Sequence, residues 1–153
     1  MLSENVLRKC VKGLAALTIL ICFNLSALEE ADDPNTIDIS VGDLTLTVAY
    51  ADEDLERQLG LMYRRAMCDN CGMLFKFDSV RIASIWMKNT YIPLDLAYID
   101  EDGLIIDIQP LTPHDLTSVR SPKPVLYALE MNQGWFGKNN IKVGDTLVVN
   151  QKQ

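Results

Sequence analysis

The chain has 153 residues, of which 48% are hydrophobic and 23% are charged. This composition is that of a globular protein, and it excludes a wholly disordered or collagen-like chain. The 14 basic and 21 acidic residues give a formal net charge of -7. Because this charge repels a phosphate backbone, we expect no nucleic-acid partner.

Residues 1–27 have the pattern of a secretory signal peptide. Arg8, Lys9 and Lys12 precede an apolar run over Leu14–Phe23, and Ala27 closes the segment before an acidic stretch. The alternative is an uncleaved N-terminal anchor, but the apolar stretch counted from Leu14 to Leu28 is about 15 residues long, short of the roughly 20 that span a bilayer. We therefore expect cleavage after Ala27, export to the periplasm or the medium, and no membrane contact of the mature chain.

The rest of the chain predicts a short tail followed by one β domain. Residues 28–35 are acidic and contain Pro34, which favours a disordered tail, whereas residues 36–153 show no linker and no change of composition. Apolar residues mostly recur with a period of two, as in half-buried strands. The predicted strands are Ile37–Val41, Leu44–Val48, Met73–Phe77, Ile82–Met87, Leu94–Ile99, Leu104–Ile108, Val125–Met131 and Thr146–Asn150.

Two segments interrupt the strand pattern. Asp52–Leu59 predicts one short helix with Asp52 as its N-cap and with Leu55, Leu59 and Met62 on an apolar face. Gln109–Pro124 holds four prolines and predicts a long irregular loop. The fold class that follows is mainly β, a compact antiparallel sandwich or barrel-like domain with one short helix.

Cysteine usage favours a local disulfide. Signal cleavage removes Cys10 and Cys22 and leaves Cys68 and Cys71. In an exported protein a pair at this spacing most simply forms a disulfide. A structural zinc site would need two further ligands, and His114 is the only histidine in the chain. A thiol-exchange site would place the first cysteine at a helix N-terminus, whereas here a predicted strand follows the pair.

One carboxylate stands inside an apolar strand. Asp95 interrupts the run Ile92–Tyr98, where a charged group needs a partner or a shifted pKa. Lys88 and Asn89 are the nearest candidates for that partner along the chain. Two interpretations stay open, a polar network that fixes the turn through Pro93 and a ligand site.

Glu130 and Arg64 raise the same question with a weaker signal, and Trp86 and Trp135 are candidates for core or pocket walls. No motif for nucleophilic catalysis is visible, so no catalytic residue is predicted.

The motifs Gly60–Arg64, Gly72–Phe77, Trp86–Asp95, Leu129–Glu130 with Gly134–Trp135, and Val143–Asp145 together resemble the Domain of Unknown Function 192 family. The resemblance covers roughly residues 37–150 and implies a compact, mostly antiparallel β domain with a short helix. It implies no particular activity. The motif residues carried over are Met62, Arg64, Met73, Met87, Lys88, Asn89, Asp95, Glu130 and Trp135. The Cys68–Cys71 segment departs from the family pattern and therefore resembles a local addition.

The resulting expectation is an exported monomer that acts as a binding or accessory domain for a small polar ligand, a peptide, a glycan or a cell-envelope partner, without metal or other cofactor. The predicted ligand-binding residues are Arg64, Lys88, Asn89, Asp95, Glu130 and Trp135. One alternative is a hydrolase that uses Asp95 with Lys88. A second is a redox or metal-handling protein that uses Cys68 and Cys71.

Overall fold

The structure is a computed structural model that describes residues 35–150. The predicted signal peptide and all of the predicted acidic tail except Asn35 lie outside the described residues. The elements are β1 (Thr36–Val41), β2 (Leu44–Ala51), α1 (Asp54–Leu59), β3 (Gly72–Arg81), β4 (Ser84–Ile85), β5 (Leu94–Ile99), β6 (Ile105–Leu111), β7 (Val119–Arg120), β8 (Val125–Asn132), α2 (Trp135–Lys138) and β9 (Leu147–Asn150). No helix within residues 35–150 is long and apolar enough to cross a membrane.

Seven of these strands form one curled sheet in the order β6-β5-β8-β3-β2-β1-β9. The two outer strands meet at one end, where the Ile105 N–H donates to the Asp145 carbonyl at 2.9 Å and the Leu147 N–H to the Gly103 carbonyl at 2.8 Å. The sheet therefore curls into a half-barrel, and the predicted mainly β fold is confirmed. Neighbouring strands of the sheet run antiparallel, except for β2 and β3. These two are parallel because α1 and the loop after it return the chain to the same end of the sheet before β3 begins.

Two apolar cores lie on the two faces of the sheet. Side chains alternate between the faces along each strand, so that Leu129 and Met131 of β8 enter one core and Ala128 enters the other. The first core takes residues from strands along the whole sheet and fills the inside of the curl. The second covers the opposite face of β3, β5 and β8, under the segment 83–92 and β7.

Two predicted segments differ from the structure near this second core. Only Ser84–Ile85 of the predicted strand Ile82–Met87 pairs with another strand, and its partner is β7. This short ribbon lies outside the main sheet because Ala83 and Met87 are buried against the face of the sheet instead of extending its edge. The predicted loop Gln109–Pro124 is shorter than expected, since β6 continues to Leu111 and β7 lies within it.

Helix α1 also departs from the prediction. Its N-cap is Glu53 rather than Asp52, because Glu53 and Glu56 form a capping box in which each side chain accepts from the other residue's backbone N–H. Its predicted apolar face is largely exposed: 80% of Leu55 and 54% of Leu59 are accessible to solvent. The buried residue is Leu61, which follows the helix. The structure also has a second helix, the four-residue α2, in addition to the one short helix that the sequence predicted.

Candidate functional site

A cavity of about 290 Å³ lies between α1, β3, β4 and β8. Its walls combine apolar and polar side chains in similar measure. It is lined by Asp54, Arg57, Gln58, Leu59, Gly60, Leu61, Met62, Phe75, Phe77, Arg81, Ala83, Ser84, Ile85, Trp86, Thr90 and Glu130. Small-molecule sites usually occupy about 300 to 1,000 Å³, so this cavity is at the lower end of that range.

Helix α1 is held in place as one wall of the cavity by Arg57. The guanidinium donates to the Lys76 carbonyl oxygen at 2.9 Å and to Asp78 Oδ1 at 3.0 Å, both on β3, and it also contacts Asp54 within the helix. The helix ends at Gly60, whose φ of 49° lies in the left-handed region that glycine adopts without strain. A Cβ at Gly60 would lie 3.3 Å from Phe75 Cζ, so the glycine also lets the chain pass close to β3.

Glu130 reaches the cavity from β8. Its neighbours Leu129 and Met131 point into the first core, so the alternation of the strand directs Glu130 to the opposite face. The residue is only 4% exposed, and its carboxylate makes no hydrogen bond or ion pair with any other residue in the part of the chain that the structure describes. No fully enclosed side-chain oxygen within residues 35–150 lacks a hydrogen-bond partner. The unpaired Glu130 oxygens therefore face the open space of the cavity.

The surroundings of Glu130 make its ionised form costly. Burial raises the pKa of this carboxyl from 4.5 to about 8. The Tyr98 hydroxyl cannot satisfy it, because that hydroxyl donates to the Val119 carbonyl oxygen at 2.7 Å. Burial, and secondarily the charge of Glu130, raise the pKa of Tyr98. At neutral pH, Glu130 without a bound ligand is therefore mostly neutral and can donate a hydrogen bond, whereas a bound group that compensates its charge favours the anion.

The mouth of the cavity carries exposed aromatic and cationic side chains. Trp86 is 47% exposed, and the Lys88 ammonium lies 5.2 Å from the centre of its ring. Asn89 Nδ2 donates to the Tyr63 hydroxyl at 2.9 Å, and the Tyr63 N–H donates to the Asn89 carbonyl oxygen at 2.9 Å. Both residues adopt positive φ, 66° for Tyr63 and 54° for Asn89, a backbone conformation that is often found at functional sites.

Asp95 and Trp135 belong to a second polar cluster, in which each side chain makes a hydrogen bond. Asp95 Oδ2 accepts from the Gly134 backbone N–H at 2.7 Å, and Trp135 Nε1 donates to Asn70 Oδ1 at 3.0 Å. Asn132 Nδ2 donates to the Cys68 carbonyl oxygen at 2.8 Å. The partner of Asp95 is thus a backbone amide and neither Lys88 nor Asn89, the two partners that the sequence suggested.

The disulfide loop closes this second cluster. Cys68 and Cys71 are joined by a disulfide with a Cα–Cα distance of 5.0 Å, in agreement with the expected pairing. Gly72 follows directly, and a side chain there would overlap Met131 Sδ and the Glu130 carbonyl oxygen. Within residues 35–150 no group of three or more His, Cys, Asp or Glu side chains is placed to hold a metal ion.

The six predicted ligand-binding residues therefore do not form one site but lie in different parts of the structure. Glu130 lines the cavity, and Lys88 and Asn89 contact residues at its mouth. Asp95 and Trp135 lie in the second cluster, while the half-buried Arg64 follows the turn after α1. The sequence did not predict the roles of Arg57, Phe75 or Thr90, since each depends on contacts between distant segments; only the acidic-basic spacing within α1 hinted at Arg57.

The family match covers the residues of both the cavity and the second polar cluster. The model of DUF192, described as an uncharacterized ACR family, matches residues 37–149. The chain belongs to the DUF192 family. This confirms the family that the sequence motifs indicated. A search of the curated proteins gave no match.

Two crystal structures are similar to this DUF192 domain. One is a proposed transcription regulator from Sinorhizobium meliloti 1021, 38% identical with a TM-score of 0.72, where the match covers 74% of this chain and 93% of that one. The other is a protein of unknown function from Novosphingobium aromaticivorans DSM 12444, 30% identical with a TM-score of 0.69, covering 74% and 84% of the two chains. Both share the half-barrel fold.

The DUF192 motif residues contribute to both the cavity and the second polar cluster. Met62 and Glu130 line the cavity, and the Asn89 amide lies 3.9 Å from Met62 Sδ. Asp95, which pairs in register with Met131, lies beside Glu130 in the sheet but on its opposite face, and with Trp135 it fixes the adjoining loops. Of the two sets, only the first leaves a polar group without a protein partner, so the cavity is the stronger candidate for the site where this domain acts.

Proposed function

We propose that this DUF192 domain is a small-molecule binding protein and that the cavity beside α1 is its binding site. The observation that carries the proposal is Glu130, a buried carboxyl without a protein partner whose oxygens face an open cavity. Natural proteins pair nearly all their buried polar groups, so an exception that faces open space is a candidate ligand contact.

The composition of the walls supports a ligand with an apolar part and a polar end. Phe75, Phe77 and Leu61 offer apolar surface, while Glu130 and Thr90 offer polar groups. Sites for small molecules typically combine apolar surface with a few convergent polar groups. The volume suits a compact molecule, a single sugar ring or one side chain of a peptide.

We also propose that the protein is exported and acts in the periplasm or the medium. Two observations support this location: the signal-peptide pattern of residues 1–27 and the disulfide between Cys68 and Cys71. A DNA-binding role, which the name of the Sinorhizobium relative would suggest, has little support here because the chain carries a net charge of -7.

The two alternative functions have weaker support. A hydrolase would need Asp95 and Lys88 to act together, yet Asp95 bonds to the Gly134 amide and Lys88 lies over Trp86, with no ion pair between them. A redox function would use the Cys68–Cys71 disulfide, but the pair precedes strand β3 rather than a helix that would stabilise a thiolate.

A fragment screen followed by amide NMR of isotopically labelled protein tests the binding site. We expect compounds with an apolar body and one polar end to shift the amides of Ser84, Thr90 and Glu130. The variant Ser84→Trp should abolish these shifts, because Ser84 is exposed at the edge of the cavity and a large side chain there fills its mouth. Val148→Trp, which places the same side chain at an exposed position on β9, is the control and should keep them.

The proposal fails if no fragment shifts the cavity amides, or if Ser84→Trp and Val148→Trp bind the same fragments equally well. Circular dichroism of both variants establishes that a loss of binding is not a loss of fold.

A further inference from the structure

We propose that the ligand of the cavity is an amine, bound as an ammonium ion that pairs with the Glu130 carboxylate while its apolar body packs between Phe75, Phe77 and Trp86. The inference rests on the proposed function, because it names the class of molecule that the same cavity takes.

The first argument is the lack of donors around Glu130. The buried polar residues in the described part of the chain are Thr90, Ser121 and Glu130. The Thr90 hydroxyl donates to the Lys88 carbonyl oxygen at 3.3 Å, and Ser121 Oγ accepts from the Ala83 N–H at 3.0 Å. No protein donor is therefore directed at the Glu130 oxygens. An ammonium group would supply both the donors and the opposite charge that a buried carboxylate requires.

The second argument is that the cations at the cavity are poorly placed for an anionic ligand. The Arg57 guanidinium is already occupied by Asp54, Asp78 and two backbone carbonyl oxygens. Arg81 is exposed, and it stands at the end of β3 rather than beside Glu130. An anion would meet an unpaired carboxyl inside the cavity, whereas the net charge of -7 attracts cations to the protein.

The third argument is the aromatic lining. Phe75, Phe77 and Trp86 all line the cavity. Aromatic faces attract cations, most strongly where water is excluded. The same rings offer apolar contact to the body of the ligand, so one lining serves both parts of an amine that carries an alkyl or aryl group.

Ammonium binding should release a proton. The empty site holds a neutral Glu130, so the reaction joins an ammonium ion to a neutral carboxyl, forms the ion pair and sets one proton free to solvent. The other charged residues that line the cavity are Asp54 and Arg57 from α1 and Arg81 from β3, and the Tyr98 hydroxyl from β5 senses the charge of Glu130. The Tyr98 hydroxyl keeps its proton because burial raises its pKa. The released proton is therefore assigned to Glu130.

A set of three matched compounds tests the charge of the ligand. Phenethylamine, phenethyl alcohol and phenylacetate share an aromatic body and differ in carrying a cation, a neutral hydroxyl or an anion. We expect phenethylamine to bind most tightly, with an affinity that rises by up to about tenfold per pH unit below the Glu130 pKa and levels off above it. Titration calorimetry in two buffers of different ionisation enthalpy should show proton release at neutral pH.

The variant Glu130→Gln should weaken phenethylamine binding by roughly 30-fold or more, since it removes one partner of a buried charge pair. It should leave phenethyl alcohol binding almost unchanged. Glu101→Gln makes the same chemical change at an exposed loop position and is the matched control.

Two results would overturn the inference while leaving the binding cavity in place: equal affinity for the alcohol and the amine, or tighter binding of phenylacetate that is lost in Arg81→Ala. If none of the three compounds shifts the cavity amides, and the wider fragment screen is also negative, the proposed function itself fails.

Discussion

Glu130 and Asp95 are two carboxylates in adjacent strands of the same sheet, and they have opposite environments. Asp95 on β5 is half-buried and accepts from the Gly134 amide at 2.7 Å, within a cluster that also contains the Trp135–Asn70 bond. Glu130 on β8 is buried and has no hydrogen bond from the described protein. In the sequence both are single acidic residues within apolar strands.

The difference teaches how a structural carboxylate is separated from a candidate functional one. A paired carboxylate contributes to the fold and is lost only at a cost to stability. An unpaired buried carboxyl lowers the stability of the fold at pH values where the unfolded chain would ionise it. A cost of this kind is typical of residues kept for binding or catalysis. Substitutions on the two faces of β5 and β8 can test this contrast directly.

The largest expected effect is the pH dependence of stability in Glu130→Gln. Below pH 4.5 the carboxyl is protonated in both the folded and the unfolded state, so it contributes no difference. Between this value and about 8, the unfolded chain releases the proton and the folded protein keeps it, so the folded state loses roughly 1.4 kcal/mol per pH unit. Above about pH 8 the cost is constant.

Glu130→Gln should therefore gain stability over the natural protein as the pH rises from about 5 to about 8, by several kcal/mol in total. Urea unfolding of both proteins at a series of pH values measures the difference, in which the contributions of all other groups cancel. Glu101→Gln should run parallel to the natural protein. A constant difference between Glu130→Gln and the natural protein over this range would mean that Glu130 is paired after all.

The next effect concerns Gly72, which connects the disulfide loop to the strand beside Glu130. A Cβ there would overlap Met131 Sδ and the Glu130 carbonyl oxygen, and a backbone atom cannot move aside as a side chain can. We expect Gly72→Ala to lower the free energy of unfolding by roughly 2 to 3 kcal/mol. Gly137→Ala, where a Cβ would meet nothing within 4 Å, is the control for the general effect of replacing glycine. Equal stability of the two variants would contradict the close approach.

Local patterns predicted the parts of this fold that depend on neighbours in sequence. The period of two predicted strands that match β1 and β2, which form an antiparallel hairpin whose register pairs Val41 with Leu44. The spacing of Cys68 and Cys71 predicted their disulfide because only three positions separate them. Long-range pairing was beyond such patterns: β2 and β3 run parallel, and β4 pairs with β7 instead of joining the main sheet.

The candidate site shows the same limit. The sequence indicated that Asp95 and Glu130 needed an explanation, yet it favoured Asp95 because that residue falls inside the otherwise apolar run Ile92–Tyr98. The actual partner of Asp95 is 39 residues away, and the isolation of Glu130 follows from side chains on α1, β3 and β4. The spacing of Leu55 and Leu59 predicted a buried helix face, but α1 lies at the periphery, where both are exposed.

A smaller effect is expected from the disulfide. Closing a loop of about four residues stabilises a chain by roughly 2 kcal/mol through the entropy of the unfolded state. The double variant Cys68→Ser with Cys71→Ser should lose about this much stability and keep phenethylamine binding, because neither cysteine lines the cavity. Chemical denaturation and the NMR titration measure the two quantities separately. A loss of ligand binding with unchanged stability would instead favour the redox alternative, in which the cysteines take part in the function.

The smallest effect is expected from Asp95→Asn. Asparagine keeps an oxygen that can accept from the Gly134 amide, but the hydrogen bond loses its charge, so stability should fall by about 1 kcal/mol. Phenethylamine affinity should stay the same, since Asp95 does not line the cavity. Asp102→Asn, at an exposed position in the loop before β6, controls for the loss of one negative charge from the whole chain. If Asp95→Asn weakened ligand binding tenfold while Asp102→Asn did not, the paired carboxylate would be part of the site. The separation between a structural Asp95 and a functional Glu130 would then no longer hold.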